Sequence, residues 1–370
     1  MERKNDIKLE ELKKKNIPIY SISRLDTINN CAYEAYRTYI LGDRGENNIY
    51  ALMGSKIHDV LQGITDKTNT EADLLPAMRE ELEDMDLMGI QFPKGRDGND
   101  SIRNKWIADM THFCTTYKAP RGNLKAEELI IYKSPDNNYL QGYIDLQRVR
   151  SDGSVDIYDY KTSSLYKGNA ITEHQRQLIV YALGKKQEGV RVNSINWIFL
   201  KYVNVKFTGK KSSKSKNETQ INKTIERCNI GKELEDYIAG WLEEEGIIDA
   251  EQQILLDEIR RTNKLDCLPE NVRSRISITP CVISAELTDE SIKDTEEYID
   301  NTIRKWEQLS NNEIDYPPRS FTKTTKSGKE SSDIFFCTNL CGHYKKCPHI
   351  KDYLVTLENN DEETDLFGNT

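Results

Sequence analysis

The sequence predicts an α/β protein with a small core of strands and helices and helical insertions around it. Three observations carry this reading. Residues 129–160 have strand composition broken by a turn, residues 173–205 pass from helical to strand pattern, and the segments before and after show helical periodicity without any internal repeat. A chain of 370 residues is long enough to bury one large core with insertions.

The elements follow in order. Met1 to Asn16 is a run of charges with no apolar stretch behind it. Ser23 is placed to cap a helix running toward Cys31, and the aromatic residues Tyr33, Tyr36 and Tyr39 follow before Gly42. Met53 to Gly63 is helical, with Ile57, Val60 and Leu61 on one apolar face. Residues 76–118 read as helices around a loop at Gly95 to Asp100. Leu129–Tyr132, Tyr139–Val149 and Val155–Tyr160 read as strands, the last two joined into a hairpin by Ser151-Asp152-Gly153-Ser154. Glu173–Leu183 is helical and Ile195–Val205 is a strand. Gly209 to Asn217, rich in Lys and Ser, has no apolar anchor and reads as a mobile loop, and 231–264 as a helical insertion. A strand at Ile276–Leu287, a helix at Ser291–Leu309 and the Pro317-Pro318 stop complete the pattern. We divide the chain into a charged leader (1–18), N-terminal helices and core (19–207), lysine-rich loop and helical insertion (208–274), a C-terminal strand, long helix and cysteine segment (275–355), and an acidic disordered tail (356–370).

Composition narrows the class. No stretch approaches the length of a membrane span, so a soluble, cytoplasmic protein is expected. A net charge of -9 argues against whole-surface attraction to nucleic acid but leaves a local basic groove open, and lysines gather at 201–223 and 319–329. Neither Gly209-Lys210-Lys211-Ser212 nor Gly328-Lys329-Glu330 has the spacing of a phosphate-cradling loop, so no motor domain is expected.

The chemistry concentrates at Gly142-Tyr143-Ile144-Asp145 and Asp159-Tyr160-Lys161. Side chains alternate faces on a strand, so Asp159 and Lys161 point the same way, and the hairpin partner brings Asp145 beside them. Two carboxylates suit a hard divalent cation, and an ammonium beside them suits a transferring phosphate. Taken alone, Asp-x-Lys on a strand is an ordinary surface ion pair. His58, four residues after Gly54 on a helix, adds an imidazole compatible with Mn²⁺, and Gln177 and Tyr181 lie one helical turn apart after Lys161.

The order Gly-x-x-x-His, Gly-x-x-Asp, Asp-x-Lys and Gln-x-x-x-Tyr resembles the PD-(D/E)XK nucleases of the RecB type, from about Ser21 to Pro348. The resemblance implies a restriction-endonuclease-like core, a central mixed β-sheet flanked by helices. It also implies Mg²⁺ or Mn²⁺ held by His58, Asp145, Asp159 and the Tyr160 carbonyl, catalysis by Lys161, and positioning of DNA by Gln177 and Tyr181. Glu128 is a weaker candidate. Lys210, Lys211 and Lys214 are placed to contact phosphates, and Tyr181 or Trp197 to stack on bases. The implied activity is a metal-dependent deoxyribonuclease, an exonuclease on single-stranded DNA or free DNA ends, in recombination, repair, replication or phage DNA processing in a bacterial or phage setting. The alternatives are a DNA-binding scaffold without turnover and a zinc-stabilised regulator.

Eight cysteines in a reducing compartment point to metal rather than disulfides where they cluster. Cys337, Cys341 and Cys347 supply three thiolates, where a structural site usually needs four. Spacing permits zinc with His343 or His349 as the fourth ligand. The family resemblance implies instead a [4Fe-4S] cluster completed by Cys31, an iron-sulfur clamp joining the N- and C-terminal segments; Ala32 stands where that family often has proline, and the first gap of the trio is three residues rather than two. Cys114, Cys228, Cys267 and Cys281 are scattered and read as small apolar residues. Glu363-Thr364-Asp365-Leu366-Phe367 resembles peptides that dock on the sliding clamp, with Glu363 in place of the usual glutamine.

Overall fold

The computed structural model describes residues 4–95, 97–210, 218–324 and 328–367, with side chains to residue 357. The chain forms two compact units, one of residues 1–52, 129–142 and 288–370 and the other of 53–128 and 143–287.

Helix α1 (Lys4–Lys14) occupies the expected leader. Its Leu9 and Leu12 lie one turn apart and are buried against Leu129 and Ile131, so the segment is part of the fold. Strand β1 (Ile19–Tyr20) precedes α2 (Ile22–Asn30), which Ser21 caps rather than Ser23, its hydroxyl accepting from the Arg24 amide at 3.2 Å. After α3 (Ala32–Ala35) and a π-helical turn at Tyr36–Ile40 comes α4 (Ile49–Asp66), with Met53, Ile57, Val60 and Leu61 buried. Helices α5 (Leu74–Leu87) and α6 (Ser101–Thr116) bracket the polar loop as expected.

Strands β2 (Asn123–Lys133), β3 (Tyr139–Val149) and β4 (Val155–Lys161) bear out the expected strand-rich middle. β3 and β4 are an antiparallel hairpin, Leu146 opposite Tyr158 and Val149 opposite Val155, and Gly153 turns it with φ +78°, a conformation costly for other residues. Helix α7 (Asn169–Gln187) returns the chain to β5 (Val192–Lys210), parallel to β4. β5 pairs antiparallel with β6 (Glu218–Glu226) on one side and β7 (Ile276–Ala285) on the other. Strands β1–β7 belong to one mixed sheet in the order β1-β3-β4-β5-β6, with β2 also on β3 and β7 also on β5. This is the mixed sheet with flanking helices that the sequence predicts. It departs from expectation at Gly209 and Lys210, which are strand residues opposite Thr219 and Glu218 rather than loop.

Between β6 and β7 stand α8 (Ile230–Glu244), α9 (Asp249–Thr262) and the short α10 (Glu270–Arg273). Ile230, Leu234, Ile238 and Trp241 recur at helical spacing and form one core with Phe207, Ile221, Leu256 and Ile259. Helix α11 (Asp289–Glu307) starts at a reciprocal Thr288–Ser291 cap. A small hairpin, β8 (Thr322–Thr324) and β9 (Glu330–Ser332), leads to α12 (Phe335–Asn339) and α13 (Pro348–Phe367). The acidic segment from 356, expected as a disordered tail, continues the α13 backbone to Phe367. Among the described residues no helix is long and apolar enough to cross a membrane.

Candidate active site

Every residue of the expected constellation lies in the second unit. Asp159 and Lys161 share one face of β4, and the Lys161 Nζ stands 2.6 Å from Asp159 Oδ2. The hairpin brings Asp145 across from β3, where its Oδ2 accepts from the Tyr160 amide at 2.8 Å. His58 reaches in from α4, with Nδ1 3.4 Å from Asp145 Oδ2 and a hydrogen bond to the Tyr160 backbone. From α7, Gln177 Oε1 accepts from Lys161 Nζ at 3.3 Å, and its Nε2 donates to the Tyr181 hydroxyl at 2.7 Å. A polar chain thus runs Asp159, Lys161, Gln177, Tyr181.

The electrostatics follow from burial. Asp159 is 1 % exposed. Burial, reinforced by repulsion from Asp159, pushes the Asp145 carboxyl well above the usual carboxylate range, against the pull of the Tyr160 amide. Burial pulls the His58 imidazole below its usual value, so at neutral pH it is a neutral ring with a lone pair to offer. Burial also opposes the charge on Lys161, but Asp159 outweighs it and the net shift is upward, leaving a protonated amine at neutral pH. Among the described residues no three His, Cys, Asp or Glu side chains converge at metal-holding range: Asp145 is turned to His58 and the Tyr160 amide, Asp159 to Lys161. The donor set nonetheless fits a hard divalent ion. Two enclosed carboxylates repel one another, a neutral imidazole adjoins them, and a cation between them would relieve the cost that raises Asp145.

Several expectations need correction. Glu128 does not serve the site; its Oε1 pairs with Lys185 Nζ at 3.0 Å. Its neighbour Glu127, with φ +45°, is the one whose charge acts on Asp145 and Tyr181. Trp197 and Tyr181 are 1 % and 4 % exposed, so neither ring is open to stack on a base. The aromatic surface beside Lys161 is instead the Tyr166–His174 pair, stacked at 3.9 Å and 20°, with His174 exposed and Tyr166 electrostatically linked to Lys161. Sequence reasoning missed it, although an aromatic residue five positions after Lys161 and a histidine just before Gln177 were visible. Lys210 is exposed at the end of β5; Lys211 and Lys214 lie outside the described residues.

In the first unit, Cys31, Cys337, Cys341 and Cys347 line one small pocket with Glu34 and His343. All four are free thiols and do not close to metal-ligating range. Burial pushes Cys337 up to about 11 and Cys341 up to about 12, and raises Cys31 as well; neutral thiols have no electrostatic reason to draw together. Of the histidines of the zinc alternative, His343 lines the same pocket, its Nε2 meeting Thr38 Oγ1 at 3.0 Å while its buried Nδ1 has no hydrogen-bond partner, and the His349 ring packs edge-on against Tyr33 at 4.6 Å.

Among known proteins, the model of the PD-(D/E)XK nuclease superfamily matches residues 19–347. No curated protein matches the chain.

Proposed function

Because the chain belongs to the PD-(D/E)XK nuclease superfamily, a family of phosphodiester-cleaving and generally metal-dependent enzymes, we propose that it is a Mg²⁺- or Mn²⁺-dependent deoxyribonuclease acting on single-stranded DNA or free DNA ends. The observation that carries this is the pairing of Asp159 and Lys161 on one strand face, with Asp145 beside them from the hairpin partner.

In this reading His58, Asp145, Asp159 and the Tyr160 carbonyl hold the ion, which when bound supplies an activated water and charge stabilisation at the phosphate. Lys161, held protonated by Asp159 and oriented by Gln177, donates a hydrogen bond to a phosphate oxygen and offsets the charge that develops there. Tyr181 acts behind Gln177, fixing which way the amide points. The Tyr166–His174 pair supports an unpaired strand as substrate, since it offers a ring face of the kind single-strand binding uses. Lys210, with Lys211 and Lys214 next to it in sequence, is assigned to phosphate contacts.

The experiment is digestion of end-labelled linear and circular single strands, and of duplex, with Mg²⁺, Mn²⁺ or chelator. Metal-dependent loss of the linear single strand is expected. Cleavage unaffected by chelator, or confined to the interior of duplex with no loss from its ends, would overturn the assignment.

For the cysteine pocket, we read Cys31, Cys337, Cys341 and Cys347 as ligands of a [4Fe-4S] cluster. Support comes from four thiols, one from the N-terminal and three from the C-terminal segment, lining one pocket.

A further inference from the structure

The second unit contains a cavity of about 510 Å³ that none of the chemistry above uses. It is lined by Tyr160, whose place on β4 puts its ring on the face opposite Asp159 and Lys161. Phe113, Leu200, Leu265, Ile276 and Ile278 make the walls largely apolar. Such an enclosure with a few convergent polar groups is the usual form of a small-molecule site.

The polar group here is Arg227, only 7 % exposed. Its Nε donates to the Leu200 carbonyl at 2.7 Å, and its Nη1 to Thr116 Oγ1 at 3.1 Å and His112 Nδ1 at 3.2 Å. His112 Nε2 donates in turn to the Asn263 carbonyl at 2.9 Å, which leaves Nδ1 as the acceptor. Burial pulls His112 down to about 4 and Arg227 down to about 10, so at neutral pH the ring is neutral and the guanidinium charged. None of the groups bonded to Arg227 is a carboxylate, and Nη2 has no hydrogen-bond partner among the described residues. Asp109 is the acid whose field reaches it, but Asp109 Oδ1 is taken by the Cys228 amide at 2.8 Å. A buried guanidinium without a counter-ion is costly to keep. Lys118 and Lys264 also line the cavity, as does Arg273, which is paired with Glu270, against the single lining acid Asp266, so with Arg227 the charge there favours an anion.

We propose that this cavity binds a small organic anion, its apolar body against Phe113, Leu200 and Ile276 and its carboxylate or phosphate on the free edge of Arg227. The volume takes a molecule of metabolite size and excludes a duplex. The apolar walls distinguish it from a site for inorganic phosphate alone.

The test uses the full chain and two fluorescent probes sharing one ring system, anilinonaphthalene sulfonate and the uncharged phenylnaphthylamine. Saturable binding at a single site is expected, tighter for the sulfonate. Arg227→Gln should weaken the sulfonate roughly tenfold to a hundredfold, the worth of a hydrogen bond to a charged group, and leave the neutral probe nearly unchanged. Ile278→Trp, at a partly exposed wall position, should abolish binding of both while circular dichroism stays native. If Arg227→Gln does not fold, the wild-type preference for the sulfonate and its loss in Ile278→Trp decide the matter. Equal affinity for the two probes, binding that survives Ile278→Trp, or displacement of the sulfonate by single-stranded oligonucleotide would overturn the proposal, the last by assigning the cavity to nucleic acid.

Discussion

Lys161 Nζ stands 2.6 Å from Asp159 Oδ2, two residues apart on one strand, and no other ion pair of the site is as short. The amine is thereby committed to its charged form and needs only a second partner to fix its direction, which Gln177 supplies.

That division of labour separates two substitutions. Gln177→Leu should lower kcat about tenfold to a hundredfold with little change in KM, because the amine keeps its charge but loses its aim. Tyr181→Phe removes only the acceptor behind Gln177 and should cost a few-fold in kcat and about 1 kcal/mol of stability. Single-turnover cleavage and urea unfolding of both variants check this; a larger catalytic loss in Tyr181→Phe than in Gln177→Leu contradicts it.

Asp156 anchors the other end of β4. Its carboxylate, fully buried, takes hydrogen bonds from Arg148, Arg150, Asn193 and Ser194, joining β3, β4 and the start of β5. Burial alone would raise its pKa, yet these donors hold it well below the carboxylate range. Asp156→Ala should destabilise the protein by about 2–4 kcal/mol, since it strands several donors at once. Denaturant titration measures this, and a change under about 0.5 kcal/mol would refute the anchoring role.

A second stability prediction concerns pH. His112 binds a proton less readily when folded, about 4, than the ordinary 6.5 of an unfolded histidine. The unfolded chain therefore holds more protons between those values, so the stability His112 contributes is complete above about 6.5 and is lost as pH falls toward 4. Between pH 7 and pH 5 the loss amounts to about 2 kcal/mol. His112→Gln, which keeps a donor and an acceptor without titrating, should show a flatter stability profile over that window. Parallel profiles for variant and wild type would remove His112 as the cause.

The cysteine pocket makes a spectroscopic prediction. Protein purified without oxygen should be brown, with roughly four irons per chain, and Cys341→Ser should lose most of the iron. Colourless protein carrying zinc, or no metal at all, contradicts the cluster reading.

How much of this was legible in the sequence depended on whether local period or long-range packing set the outcome. Asp159 and Lys161 were readable because a strand has period two, and Asp145 because Gly153 marks the turn that folds its strand alongside. Glu128 misled because Glu127 takes a left-handed backbone conformation, and the alternation slips at that point. Strand β6 was hidden by its composition: Glu218–Glu226 is mostly polar, with Ile221 and Ile225 buried, and its pairing is dictated by the length of β5. The leader resembled loose charge because, among its described residues, only Leu9 and Leu12 are buried. Trp197 and Tyr181 looked available for stacking because nothing in a sequence shows which aromatic residue a sheet and a helix will enclose.

The most direct measurement is cleavage of end-labelled single-stranded DNA with Mn²⁺ by wild-type protein and by Lys161→Ala, purified in parallel and matched by circular dichroism. The single-turnover rate of the variant should fall roughly a hundredfold to ten-thousandfold, with DNA affinity retained. Equal rates would mean that the chemistry lies elsewhere than at the Asp159–Lys161 pair.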